Sequence, residues 1–158
     1  VGTLFTLYLP AAKKDLFQEH DIMEGIYRGE GKILLMDDEE FIRKVAGTML
    51  VQLGYEVEYA TDGAQAIELY SSARDLGIPF RAVIMDLTVP GGMGGEEAMK
   101  KLLEIDSDVR AIVSSGYADD PVMANFSEFG FKGVVTKPYR IKDLSEVVQK
   151  VLDSGSIA

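Results

Sequence analysis

KILLMDDEE, residues 32–40, is the stretch from which the rest of the chain can be read. Lys32–Met36 is almost wholly apolar beyond its lysine, the composition of a strand buried on both faces, and two aspartates follow at its carboxyl end. Residues 39–53 place Phe41, Val45, Met49 and Leu53 at four-residue steps, which predicts an amphipathic helix, and Gly54 follows as its C-terminal stop. A buried strand followed directly by a helix is the opening half of a parallel crossover.

The same rhythm recurs downstream. Strands are predicted at 55–59, 81–85, 109–113 and 132–136, and helices at 64–76, 96–105 and 141–152, with a helix start at Asp119-Asp120-Pro121. Five strand-helix repeats make an α/β domain, a three-layer doubly wound sandwich with a parallel sheet covered on both faces. The stretches 49–59 and 123–131, rich in methionine and aromatic residues, read as core.

Before residue 31 the pattern differs. Leu4–Leu9 is a short β-prone run stopped by Pro10, and residues 11–30 are mixed and charged, with glycines at 25 and 29. The expected organisation is a fragment at 1–10, a linker at 11–31, the α/β domain at 32–153 and a tail at 154–158.

Composition narrows the function. The formal net charge of −10 disfavours a nucleic-acid backbone or an anionic membrane as partner and suits a carboxylate cluster that takes up a cation. The absence of cysteine removes disulfides, thiolate metal sites and cysteine nucleophiles. No run approaches the roughly 18 apolar residues of a spanning helix, and the opening VGTLFTLYLP lacks the basic start of a signal peptide.

Ligands of such sheets bind at the carboxyl ends of the strands. Strand one ends in Asp37-Asp38, strand three in Asp86, strand four in Ser114-Ser115 and strand five in Lys137. Three carboxylates gathered at one rim repel each other unless a cation sits among them, and oxygen ligands favour a hard ion such as Mg²⁺. An aspartate can attack phosphorus to give an acyl phosphate. Mg²⁺ on one side and the Lys137 ammonium on the other would offset the charge of the transferring group, with a serine hydroxyl and backbone N–H groups around Thr88 as further donors. No general base is needed, and the only histidine, His20, lies in the N-terminal segment. Taken singly these residues have plainer readings: Asp38 as a helix cap, the serines as ordinary hydrogen-bonding groups, Lys137 as a surface lysine. The Gly-rich loop at 91–95 lacks the GK[ST] ending of a P-loop.

Four segments, ILLMDDEE (33–40), AVIMDLTVPGGMGG (82–95), AIVSSGYADD (111–120) and GVVTKPYR (133–140), together resemble the response-regulator receiver domains of two-component signalling over residues 32–152. The resemblance implies a flavodoxin-like sheet of order 2-1-3-4-5. It implies Asp86 as phosphoacceptor and a Mg²⁺ site made by Asp37, Asp38, Asp86 and the Thr88 carbonyl. Lys137 matches the family's lysine, with a cis peptide before Pro138. Ser115 matches its hydroxyl, preferred over Ser114 because the step of 22 residues to Lys137 fits the family spacing. Val134 stands where the family often has a rotating Tyr or Phe, so signalling is expected to pass mainly through the loop after strand four and helix four.

VGTLFTLYLPAA looks like the last strand of a histidine-kinase ATP-binding domain. That likeness implies the C-terminal receiver of a hybrid sensor kinase, with a histidine kinase or phosphotransfer domain as partner, the kinase core of the same chain among the candidates, and a cytoplasmic location. Two alternatives stand beside it. A haloacid-dehalogenase-type hydrolase would need a D-x-D-x-[TV] motif after the first strand, where this chain has DDEE. An interaction module without phosphorylation would be expected to lack Asp86 or Lys137, and both are present.

Overall fold

Side chains alternate between the two faces of a strand, so the apolar runs here must be covered twice. In a computed structural model that describes Gly2, residues 25–117 and residues 119–154, β1 (Lys32–Met36), β2 (Glu56–Ala60), β3 (Ala82–Asp86), β4 (Ala111–Ser115) and β5 (Gly133–Thr136) form one parallel sheet of order β2-β1-β3-β4-β5. Ile33, Leu35, Ala82, Ile84, Ile112 and Val135 face α1 (Glu40–Gln52) and α5 (Ile141–Asp153). Leu34, Met36, Val83, Met85, Ala111 and Val113 face α2 (Gly63–Asp75), α3 (Gly95–Ile105) and the short α4 (Pro121–Ala124). This is the expected three-layer arrangement. The register sets Met36 opposite Met85 and Asp86 opposite Ser114, which brings the polar strand ends level at one rim.

Three local expectations shift. The buried stripe of α1 is Ala46, Gly47 and Leu50, continued by Leu53, whereas Phe41 is 73% exposed. A strict step of four drifts around a helix of 3.6 residues per turn, so Phe41 and Leu53 cannot share a face. β4 begins at Ala111 rather than at Val109. Val109 is buried in a turn, where its N–H reaches the Asp106 carbonyl at 3.2 Å. Asp38 does not cap α1: the N-cap is Glu39, without a side-chain bond. The start at Pro121 is as expected, with Asp120 Oδ1 accepting from the Val122 N–H at 2.8 Å.

The end of the expected linker packs on the domain. Ile26 joins the α1–α5 core, the Tyr27 N–H approaches Ser145 Oγ at 3.4 Å, and the Gly29 N–H donates to the Leu53 carbonyl at 2.9 Å. Gly29 has no room for a side chain, because a Cβ there would stand 2.0 Å from the Tyr55 hydroxyl. The expected strand at Leu4–Leu9, the fragment over 1–10 apart from Gly2, the linker up to residue 24 and the tail beyond Ser154 lie outside the described residues. No helix among the described residues is long and apolar enough to cross a membrane.

Candidate functional site

Asp37 follows the last residue of β1 and is fully buried, while Asp38 beside it is exposed. The Glu39 N–H donates to Asp37 Oδ1 at 2.9 Å, and Arg43 on α1 donates to the Asp37 carbonyl. Asp86, the last residue of β3, is 6% exposed. Lys137 leaves the end of β5 and reaches both carboxylates, with Nζ 2.6 Å from Asp37 Oδ2 and 2.9 Å from Asp86 Oδ2. At 2.6 Å the lysine ammonium is the counter-charge that meets the buried Asp37 Oδ2.

Burial raises the Asp86 carboxyl above its ordinary value; Lys137 opposes that shift and the charge of Asp37 adds to it. For Lys137 burial acts downward, but the two carboxylates outweigh it and hold the ammonium above its ordinary value. The lysine therefore stays charged and serves as counter-ion to a crowded acidic site.

Asp37, Asp38 and Asp86 each offer an oxygen within 4.8 Å of the others. All three residues offer hard oxygen ligands gathered at one rim, so the donor set fits a Mg²⁺-type cation. Above them opens a cleft of about 730 Å³, lined by Asp86, Thr88, Ser115 and Lys137 together with Ile42, Pro90, Tyr117 and Pro138. Thr88 is exposed at its edge. Ser115 is 2% exposed, and its Oγ accepts the Tyr117 N–H at 3.0 Å, which leaves its own proton available to a ligand. The Lys137-Pro138 peptide is cis. Asp37, Asp38, Asp86, Thr88, Ser115 and Lys137 thus lie at one rim, whereas Ser114 turns away into the core, and Val134 is half-buried on β5, packed toward the α2–α3 side.

The family model for the response regulator receiver domain matches residues 33–149. The chain belongs to that family. Chemotaxis protein CheY of Bacillus subtilis is 33% identical to this receiver over 124 residues, covering 77% of this chain and 98% of that protein. Sensor kinase CckA of Brucella abortus is 27% identical over 165 residues, covering 96% of this chain, which spans 17% of that protein's length. Among solved structures, chemotaxis protein CheY4 of Vibrio cholerae superposes with a TM-score of 0.69 at 27% identity, covering 78% of this chain and all of that one. The receiver is a module of two-component signalling, and receivers of this family bind Mg²⁺ at an acidic pocket.

Two groups near the site escaped the sequence reading. Arg43, at the first turn of α1, holds the backbone of Asp37. Tyr139, two residues beyond Lys137, is buried, and its hydroxyl lies 2.7 Å from Ser114 Oγ. Burial pushes its phenol up to about 12, against the opposing hydrogen bond from Ser114. The KPY triplet was the visible signal for Tyr139, but nothing local names the partner of its hydroxyl.

Proposed function

We propose that Asp86 accepts a phosphoryl group from a phosphohistidine on a histidine kinase or phosphotransfer domain, in a Mg²⁺-dependent reaction. The observation that carries this reading is the Lys137 ammonium 2.9 Å from Asp86 Oδ2, at the floor of a cleft open to solvent. An Asp86 carboxylate oxygen forms the new O–P bond, the P–N bond to the donor imidazole breaks, and the leaving nitrogen keeps the electron pair. Lys137 passes from the carboxylates to a phosphoryl oxygen, and the free proton of Ser115 serves a second. A Mg²⁺ ion held by Asp37, Asp38, Asp86 and the Thr88 carbonyl would neutralise charge on the remaining oxygens.

The parent protein, in this reading, is a hybrid sensor kinase, with 1–10 as the end of its ATP-binding domain and 11–31 as the linker. Support comes from the CckA likeness, which at 96% of this chain must extend into residues before 33, where the receiver match begins. Phosphotransfer to or from a histidine then takes place at the cytoplasmic part of that kinase.

Incubation of the chain with Mg²⁺ and a small phosphodonor tests the central step. The expected result is a mass gain of one phosphoryl group that Asp86→Ala abolishes. Multiple-turnover hydrolysis of phosphate esters without any uptake would sink the reading.

A further inference from the structure

β4 ends in two serines, and the phosphoryl chemistry above uses Ser115 alone. Ser114 is fully buried, on the strand face that carries Ile112 toward the α1–α5 core, and Tyr139 belongs to that same core. The contact between Ser114 Oγ and the Tyr139 hydroxyl, 2.7 Å long, joins a fully buried serine to a tyrosine that is 8% exposed. Backbone bonds complete the arrangement. The Ser115 carbonyl accepts the Lys137 N–H at 2.9 Å, and the Ser114 carbonyl accepts the N–H of Leu87, the residue after Asp86, at 2.8 Å.

Lys137 is therefore tied to β4 twice, at its own amide and two residues later through the phenol. The same Ser114 also grips the chain leaving Asp86. We propose that Tyr139 is a positioning residue for Lys137: its hydroxyl, held by Ser114, fixes the backbone that carries the ammonium relative to Asp86. This rests on the phosphoacceptor reading above.

The need for such an anchor follows from the lysine itself. Its stem is a flexible chain of rotatable bonds, and the ammonium must leave two carboxylates to meet charge developing on the phosphoryl group, so its base has to stay fixed while its tip moves. Val134 cannot do this, because it faces the opposite layer of the sandwich. An ordinary packing role for Tyr139 would cost stability when its hydroxyl is lost but would leave the relation of rate to metal binding unchanged.

The test uses the whole chain with Tyr139→Phe, Ser114→Ala and the double variant. Two quantities are read: the rate of phosphorylation by acetyl phosphate at saturating Mg²⁺, and Mg²⁺ affinity by NMR titration without donor. Each single variant is expected to slow phosphorylation about fivefold, the kinetic equivalent of one buried hydrogen bond, while Mg²⁺ affinity stays within about twofold. The double variant should be no slower than the slower single, since both remove one contact. Wild-type rates in folded Tyr139→Phe and Ser114→Ala, or equal losses in rate and Mg²⁺ affinity, overturn the positioning role. If Tyr139→Phe fails to fold, Ser114→Ala breaks the same bond with the ring in place. A wild-type chain that takes up no phosphoryl group overturns the phosphoacceptor reading itself, and the positioning role falls with it.

Discussion

The ammonium of Lys137 stands 2.9 Å from Asp86 Oδ2, so the proposed nucleophile is paired with a cation before any ligand arrives. The pairing does not cancel the cost of the site, because the Asp86 carboxyl remains above its ordinary value through burial and the neighbouring Asp37. A group whose folded value is raised binds its proton more readily in the folded state, so stability falls as pH rises through that window and stays reduced at neutral pH. Asp86→Asn is accordingly expected to raise the melting temperature of the metal-free chain at pH 7. Calorimetry in the presence of a chelator measures this, and a fall in melting temperature would contradict the account.

Cation binding should relieve the same crowding. A ligand that binds only the folded state at a hundred times its dissociation constant stabilises by about 2.7 kcal/mol. Mg²⁺ titration is thus expected to raise the melting temperature of the wild type until the site saturates. In Asp37→Asn the rise should be largely lost, since that residue supplies the fully buried carboxylate of the acidic cluster. Asp38→Asn should weaken binding without altering the metal-free stability much, because Asp38 is exposed. An equal response to Mg²⁺ in all three proteins would place the cation elsewhere.

Much of this site was legible in the sequence for a physical reason. Asp37, Asp86, Ser115 and Lys137 interrupt apolar strands at their carboxyl ends, and in a doubly wound sheet those ends converge. Contacts set only by tertiary packing were not legible. The face of α1 was misphased because Phe41 is apolar yet sits off the buried stripe. The Ser114–Tyr139 contact spans 25 residues of chain, and a tyrosine in a core position reads first as an apolar ring. The seating of Ile26 and Gly29 on the domain was hidden for a similar reason, since what excludes a side chain at Gly29 is the hydroxyl of Tyr55.

Gly54 illustrates both cases. Its role as the stop of α1 was readable, and its φ of +101° fits that role. Its second role appears only in the structure, where a Cβ would stand 2.3 Å from the Gly29 carbonyl oxygen. Gly54→Ala therefore combines a strained backbone with a collision against main chain, which cannot swing aside as a side chain can. A loss of about 2–3 kcal/mol is expected in urea denaturation. Hydrogen exchange at the Gly29 amide, which bonds to Leu53, should quicken in the same variant. Unchanged exchange there would show that the segment does not depend on the glycine pair.

At the opposite end of the sheet, Asp106 supplies a pH-dependent contact that lies apart from the acidic site. Its Oδ2 accepts the Tyr70 hydroxyl at 2.8 Å, its Oδ1 accepts the Asp108 N–H at 3.0 Å, and Arg74 lies 3.6 Å away. Burial acts to raise this carboxyl, but the Tyr70 and Asp108 bonds with Arg74 and Arg110 outweigh it and hold it below its ordinary value. A carboxyl depressed in the folded state adds stability above its unfolded value, and that stability is lost as pH falls through the folded one. Asp106→Asn should therefore cost about 1 kcal/mol at pH 7, the worth of an ordinary hydrogen-bonded group. The gap to wild type should narrow as pH drops below about 4, where unfolded aspartates take up protons. In a Tyr70→Phe background the same substitution should cost less at pH 7, since the first of its hydrogen bonds is already gone. Urea denaturation of the four proteins across that pH range decides the matter, and a gap that does not change with pH would show that the Asp106 charge contributes nothing to the fold.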